Sequence, residues 1–142
     1  MEAAWEFAQS IECNASREFC GSYWTNIANW DDPPAKFRLD EPFEDGSRIT
    51  TELPGQTLVS AIRDVRAGHA TTIEIDLPNA LFCFHWSFDD LTGKRTRIGQ
   101  RLVLSGVDAT LFLDQVKVMG NTAPEGLKKL IAAMERAQPI AS

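Results

Sequence analysis

The sequence predicts an α+β fold: a curved seven-stranded antiparallel sheet wrapped around a long C-terminal helix, with two short helices between strands 1 and 2. Three observations predict it. Side chains alternate apolar and polar in period two through most of the chain, which is the signature of half-buried strands. Turn residues separate these segments at short intervals, as sequential hairpins require. The tail carries Leu127, Leu130, Ile131 and Met134 at i, i+3, i+4, i+7, one apolar helical stripe. Such a stripe needs an apolar surface to cover, and upstream only a sheet can supply it.

The first strand is expected over residues 5–13, with Trp5, Phe7, Gln9, Ile11 and Cys13 on one face and Glu6, Ser10 and Glu12 on the other. Asn14 and Ser16 offer N-caps for a short helix over 17–23, and a second is expected over 24–30 with Ile27 on the side of Trp24 and Trp30. Asp31-Asp32-Pro33-Pro34 ends it, because neither proline continues a helix. Strands are then expected over 36–40, 47–53, 57–65, 71–77, 81–88 and 96–105. The turns between them are Glu44-Asp45-Gly46, Pro54-Gly55, Ala67-Gly68, Pro78-Asn79 and Asp90-Leu91-Thr92-Gly93. Strand 81–88 carries an aromatic stripe of Phe82, Phe84, Trp86 and Phe88. Strand 57–65 is ambiguous, since Leu58, Ser60 and Ile62 alternate with Val59, Ala61, Arg63 and Val65. The first set is preferred inward, because an unpaired Arg63 in an apolar lining costs several kcal/mol, roughly. A bulge would reverse that preference.

In the tail, Asp108 is expected to cap a segment over 109–119 with Phe112, Val116 and Met119 on its apolar face. Gly120-Asn121 signals a break or kink, and Thr122 with Glu125 forms a capping-box pair that restarts the helix around Pro124.

The chain is long enough for one domain, 1–142, with ordinary globular proportions of apolar and charged residues. A formal charge of -6 argues against a nucleic-acid partner, which needs a basic face. The acidic start without an apolar segment predicts no signal peptide, and no apolar run reaches the ~18 residues of a membrane span. Cys13, Cys20 and Cys83 are odd in number and irregularly spaced, so reduced thiols in a cytoplasmic protein are expected.

Four stretches set this chain beside a known family. Trp5-Glu6-Phe7 opens strand 1, and the segment from Trp24 to Trp30 ends in Asp31-Asp32-Pro33. Phe43-Glu44-Asp45-Gly46-Ser47-Arg48 marks the second hairpin, and the stretch from Pro124 to Ala137 forms the closing helix. In their order they resemble the helix-grip fold of the START-like superfamily, also called SRPBCC, which includes polyketide cyclase/dehydrase and lipid-transport proteins. The resemblance covers nearly the whole chain. It implies a cavity between sheet and helix.

The lining such a cavity would have is mostly apolar: Phe7, Ile27, Phe84, Trp86, Phe112 and Val116, with Gln9, Thr51, Ser60 and Gln100 as polar members and Trp24 and Trp30 at the mouth. An apolar hollow with a few hydrogen-bonding groups suits a small molecule. Each aromatic taken alone is better explained by core filling, and it is the lining as a whole, with the resemblance, that favours a cavity. Catalytic groups are thin. His69 falls in a turn and His85 opposite the aromatic stripe, so neither a triad nor an iron-binding facial triad is expected. The chain departs here from the ring-hydroxylating oxygenases of the same superfamily. Glu74 and Asp76 share an outward, solvated face.

These observations favour binding or transport of a small hydrophobic ligand (a lipid, sterol or aromatic polyketide-like molecule), with no catalytic residue, no metal and no cofactor. The alternative is an enzyme resembling polyketide cyclases, aromatases or dehydratases, which needs at least one of Arg48, Glu52 and Arg63 turned inward. A third reading, resembling the Hsp90-activator members, places a protein partner on the outer face with Glu74, Asp76, Arg97 and Arg101.

Overall fold

Alternation becomes a sheet in the order that the hairpins dictate. The computed structural model describes residues 3–30 and 33–138. Strand β1 (Ala3–Cys13) is followed by helix α1 (Arg17–Trp24), then β2 (Lys36–Leu39), β3 (Arg48–Leu53), β4 (Gln56–Arg66), β5 (Ala70–Leu77), β6 (Ala80–Leu91), β7 (Arg95–Ser105) and helix α2 (Leu113–Ala137). The sheet order is β1-β7-β6-β5-β4-β3-β2, with every neighbouring pair antiparallel. Strands β2 to β7 are therefore a meander, and β1 closes onto β7. This is the curved sheet with a C-terminal helix that the sequence predicts.

Turn chemistry sits where the hairpins need it. Gly55 and Gly93 take positive φ in the β3–β4 and β6–β7 turns, and Asn79 does so between β5 and β6. Ser16 caps α1 by accepting from the Phe19 N–H at 3.2 Å. The helix expected over 24–30 does not form. Instead α1 ends at Trp24, and a single 3-10 turn spans Ile27–Asn29. The reason is local: Asn26 Oδ1 accepts from the Ala28 N–H at 3.1 Å, and the Trp30 Nε1–H donates to the Trp24 carbonyl at 2.6 Å, the two groups that would pair in a continuing helix. These side chains take backbone groups that a continuing helix would use. Of the expected stop signal, Asp31 and Asp32 lie outside the described residues.

Strand β4 settles its ambiguity with a bulge. Ser60 and Ile62 face inward and are buried, while Arg63 is half exposed and reaches Glu74 on β5 at 3.5 Å. The pairing of β4 with β5 then shifts between Arg63 and Arg66, and Asp64 adopts φ 51°. The extra residue turns Val65 back against the core, and Asp45 Oδ1 accepts its N–H at 2.7 Å. So the bulge comes one residue too late to bring Arg63 inward.

The tail departs most from expectation. Asp108 makes no cap hydrogen bond; its carboxylate accepts from Asn79 Nδ2 at 2.9 Å and ties the tail to the β5–β6 turn. A 3-10 turn, Ala109–Phe112, leads into α2, which runs through Gly120 and Pro124 without a break. Thr122 and Glu125 are interior, not a capping box, and the Thr122 hydroxyl donates to the Met119 carbonyl at 3.1 Å. Met119 is exposed; the inward face is Val116, Gly120, Leu127, Ile131 and Met134. An interior proline costs ~3 kcal/mol. Burial of Leu127, Ile131 and Met134 stabilises by roughly 1.5–3 kcal/mol each, so tertiary packing outweighs the local breaker.

Helix α2 lies along β1 and β7, and Gly120 sets how close it comes. A Cβ built there would stand 2.7 Å from Trp5 Cζ2, whereas one at Gly126 meets nothing within 4 Å. Near the other end Glu135 Oε2 accepts the Asn14 N–H at 2.8 Å. Replacing Gly126 by Ala is expected to stabilise by roughly 0.5–1 kcal/mol through helix propensity alone. Gly120→Ala is expected to fall below Gly126→Ala by about 1–3 kcal/mol through overpacking. Urea denaturation of the two variants checks this, and equal stabilities would contradict the close crossing.

Candidate ligand-binding site

The inward face of the sheet is built by alternate residues of all seven strands, and it is not uniformly sealed. The buried side chains form two clusters. One gathers Cys13, Trp24, Ile49, Ile62, Phe88 and Ile98 with Leu127, Ile131 and Met134. The other gathers Phe82, Leu102, Leu104, Ala109 and Val116. Half-buried Phe84 packs against both. Between them on β1 and β7 stand Gln9 and Gln100, and their row continues through Trp86 on β6, which packs against the first cluster, to Thr71 on β5. Across this inward face Phe7, Gln9, Thr51, Leu58, Ile75, Phe84, Trp86 and Phe112 stay half-buried.

Polar groups on this face differ in what they have left to offer. Ser60 Oγ donates to the Ile49 carbonyl at 3.4 Å, Thr71 Oγ1 to its neighbour Ala70 at 2.8 Å, and Thr96 Oγ1 to Ala15 at 2.7 Å. Each hydroxyl proton is thereby used. Gln9 Nε2 donates to Gln100 Oε1 at 2.8 Å, which ties the two amides to each other. No described side-chain nitrogen or oxygen is both sealed from solvent and without a partner.

The expected lining is only partly brought together. Gln9, Gln100 and Trp86 share the row, with Phe7 and Phe84 flanking it on β1 and β6. Phe112 packs against the second cluster, and Thr51, paired with Leu58, lies well away from the row on β3. Val116 and Ser60 are buried core. Trp24 is not at a mouth: it is buried, with ring centroids 5.1 Å from Trp86, 5.3 Å from Phe43 and 5.5 Å from Trp30. Trp30 caps this cluster, its Nε1–H donating to the Trp24 carbonyl at 2.6 Å. Ile27 lies beyond it, in a separate open concavity of about 450 Å³ with Phe37, Leu39 and Phe43. Leu58 and Ile75 are half-buried as well, Ile75 against the second cluster, and the alternation of their strands was the signal for them.

Arg48 is exposed, Arg63 pairs with Glu74, and Glu52 reaches Arg38 at 3.5 Å. All three face away from the inward side of the sheet, so none of the residues named for the cyclase-like alternative is turned inward. His69 Nε2 is 2.7 Å from Arg17 Nη1 and serves to tie α1 to the β4–β5 turn. Among the described residues no group of three His, Cys, Asp or Glu side chains could hold a metal ion.

The outer face carries charge ladders, including Glu6–Arg101 at 2.6 Å and Glu12–Arg95 at 2.9 Å. Small side chains at Ala8, Ala70, Ser87 and Gly99 leave an open concavity of about 560 Å³ there, edged by His85, Arg101 and Asp64. Cys83 also lies on this face, its thiol pushed up to about 11 by burial and then by Glu74 and Asp76. His85 Nδ1 is 2.8 Å from Thr72 Oγ1, and burial followed by the charge of Arg101 holds its pKa below the ordinary 6.5. The folded protein thus binds that proton less readily than the unfolded chain. The resulting stability is present above pH 6.5 and is lost as pH falls through the folded value. Titrating stability from about pH 7 to about pH 5 should show a smaller loss in His85→Gln than in the parent. Identical slopes would contradict the assignment.

Comparison of the whole fold agrees with this architecture. A hypothetical protein of Helicobacter pylori superposes with TM-score 0.73 at 15% identity, covering 94% of this chain and 89% of that one. Norcoclaurine synthase of Thalictrum flavum, solved with dopamine and hydroxybenzaldehyde, gives TM-score 0.72 at 11% identity, covering 96% and 89%. A protein of Nitrosomonas europaea gives TM-score 0.72 at 10% identity, covering 97% and 99%. No family model and no curated protein matches the chain. At these identities the shared property is the fold, which is the START-like helix-grip fold.

Proposed function

We propose that this helix-grip chain binds a small hydrophobic molecule between the sheet and α2, as a carrier or sensor. The observation that carries the reading is the division of the buried core into two clusters. A close-packed interior does not leave inward aromatics such as Phe84 and Trp86 half-buried at its centre. Here they line a seam that α2, held over β1 and β7, does not close. The fold neighbour solved with dopamine and hydroxybenzaldehyde supports the reading, because that protein holds small aromatic molecules on the same architecture.

The ligand in this reading is a lipid, a sterol or an aromatic polyketide-like molecule, and burial of its apolar surface supplies the affinity. No described helix is long and apolar enough to cross a membrane. The cytoplasm is the compartment we assign, since Cys13, Cys20 and Cys83 are free thiols.

Titration with a panel of these molecules, followed by tryptophan fluorescence, should show saturable binding because Trp86 lies on the seam. Phe84→Trp, which adds bulk at the half-buried inward position packed against both clusters, should weaken every member of the panel by about tenfold or more, ~1.4 kcal/mol. Absence of saturable binding across the panel would refute the proposal.

A further inference from the structure

The Gln9–Gln100 pair has hydrogen-bonding capacity that nothing in the chain uses. Its single hydrogen bond, 2.8 Å long, consumes one N–H of Gln9 and one lone pair of Gln100. Gln9 Oε1 and Gln100 Nε2 make no hydrogen bond to protein, and no unpartnered side-chain polar atom is sealed. Neither atom is therefore fully sealed from solvent, although Gln100 as a residue is only 9% exposed. Exchanging oxygen and nitrogen in both amides changes nothing, for two amides joined by one hydrogen bond always leave one carbonyl and one NH₂ group over. The pair thus presents an acceptor and a donor at the middle of the seam, on neighbouring strands in direct register.

The surroundings narrow what can meet it. The inward positions next to the pair are Phe7 and Ile11 on β1, Ile98 and Leu102 on β7, and Trp86 on β6. None carries charge. An anion placed there would face the free carbonyl with no cation to offset its lost hydration. A neutral group that both donates and accepts satisfies both amides at once. A purely accepting group leaves the carbonyl unpaired, which is the costly case.

We infer that Gln9 and Gln100 form the head-group subsite of the ligand, and that this ligand is an uncharged apolar molecule bearing one donor–acceptor group, an amide or a hydroxyl. The inference rests on the binding reading above and adds the chemical class that the seam selects. In the same way the pair discriminates against the carboxylate and the ester of the same apolar body.

The test is a matched series of one medium-chain apolar body carrying a primary amide, an alcohol, a methyl ester or a carboxylate, titrated into the full chain by tryptophan fluorescence and calorimetry. The amide and alcohol should bind about tenfold more tightly than the ester and the carboxylate. The double variant Gln9→Leu/Gln100→Leu removes both partners together and strands neither. In it the amide and alcohol should lose their advantage over the ester. Equal binding of all four heads to the parent protein overturns the head-group inference and leaves the hydrophobic site standing. Failure of all four to bind overturns both. The parent series decides the matter even where the double variant fails to fold.

Discussion

Helix α2 is held against the sheet along one edge, and the rest of the interior follows from where that contact falls. Gly120 admits the indole of Trp5 where any larger residue would displace it, and Glu135 takes the backbone N–H of Asn14 beyond the far end of β1. Between those two points the helix runs along β1 and β7. An apolar stripe of Leu127, Ile131 and Met134 then completes one half of the core, and Val116 completes the other. A helix lying over β1 and β7 does not close the inward face of β4 to β6. The half-buried state of Leu58, Ile75 and Phe84 is the consequence.

Strand periodicity divides labour between the two faces of the sheet. Outward positions carry ion pairs such as Glu6–Arg101 and Arg63–Glu74, which contribute solubility and cross-strand register more than stability, since exposed pairs give about 0–1 kcal/mol. Inward positions carry the aromatics and the few uncharged polar groups. The bulge at Asp64 shows how tightly this division is kept. It reverses the parity of β4 only after Arg63 has been committed to the outside, so that Val65 joins the core in place of a charge.

Most of the fold was legible in the chain because it rests on short-range rules. Period-two alternation marked every strand, and turn residues such as Gly55, Asn79 and Gly93 take the backbone conformations that their positions demanded. The errors share a cause. Gly120 and Pro124 are helix breakers by local propensity, and α2 runs through them because distant residues reward its continuity. The segment after Trp24 erred the other way: Asn26 and Trp30 captured backbone groups that periodicity alone had assigned to a helix. At the site, alternation placed Gln9 and Gln100 on the same face, but their register across β1 and β7 was not visible locally. The burial of Trp24 was hidden for the same reason, since its neighbours Phe43 and Trp86 are distant in sequence.

The account stands or falls on whether space exists at the seam between the two core clusters. Xenon enters apolar hollows of protein interiors and leaves solid packing untouched. In crystals pressurised with xenon, anomalous density is expected beside Phe84, Trp86 and Phe112. Side chains filling that region with no xenon peak would contradict the account.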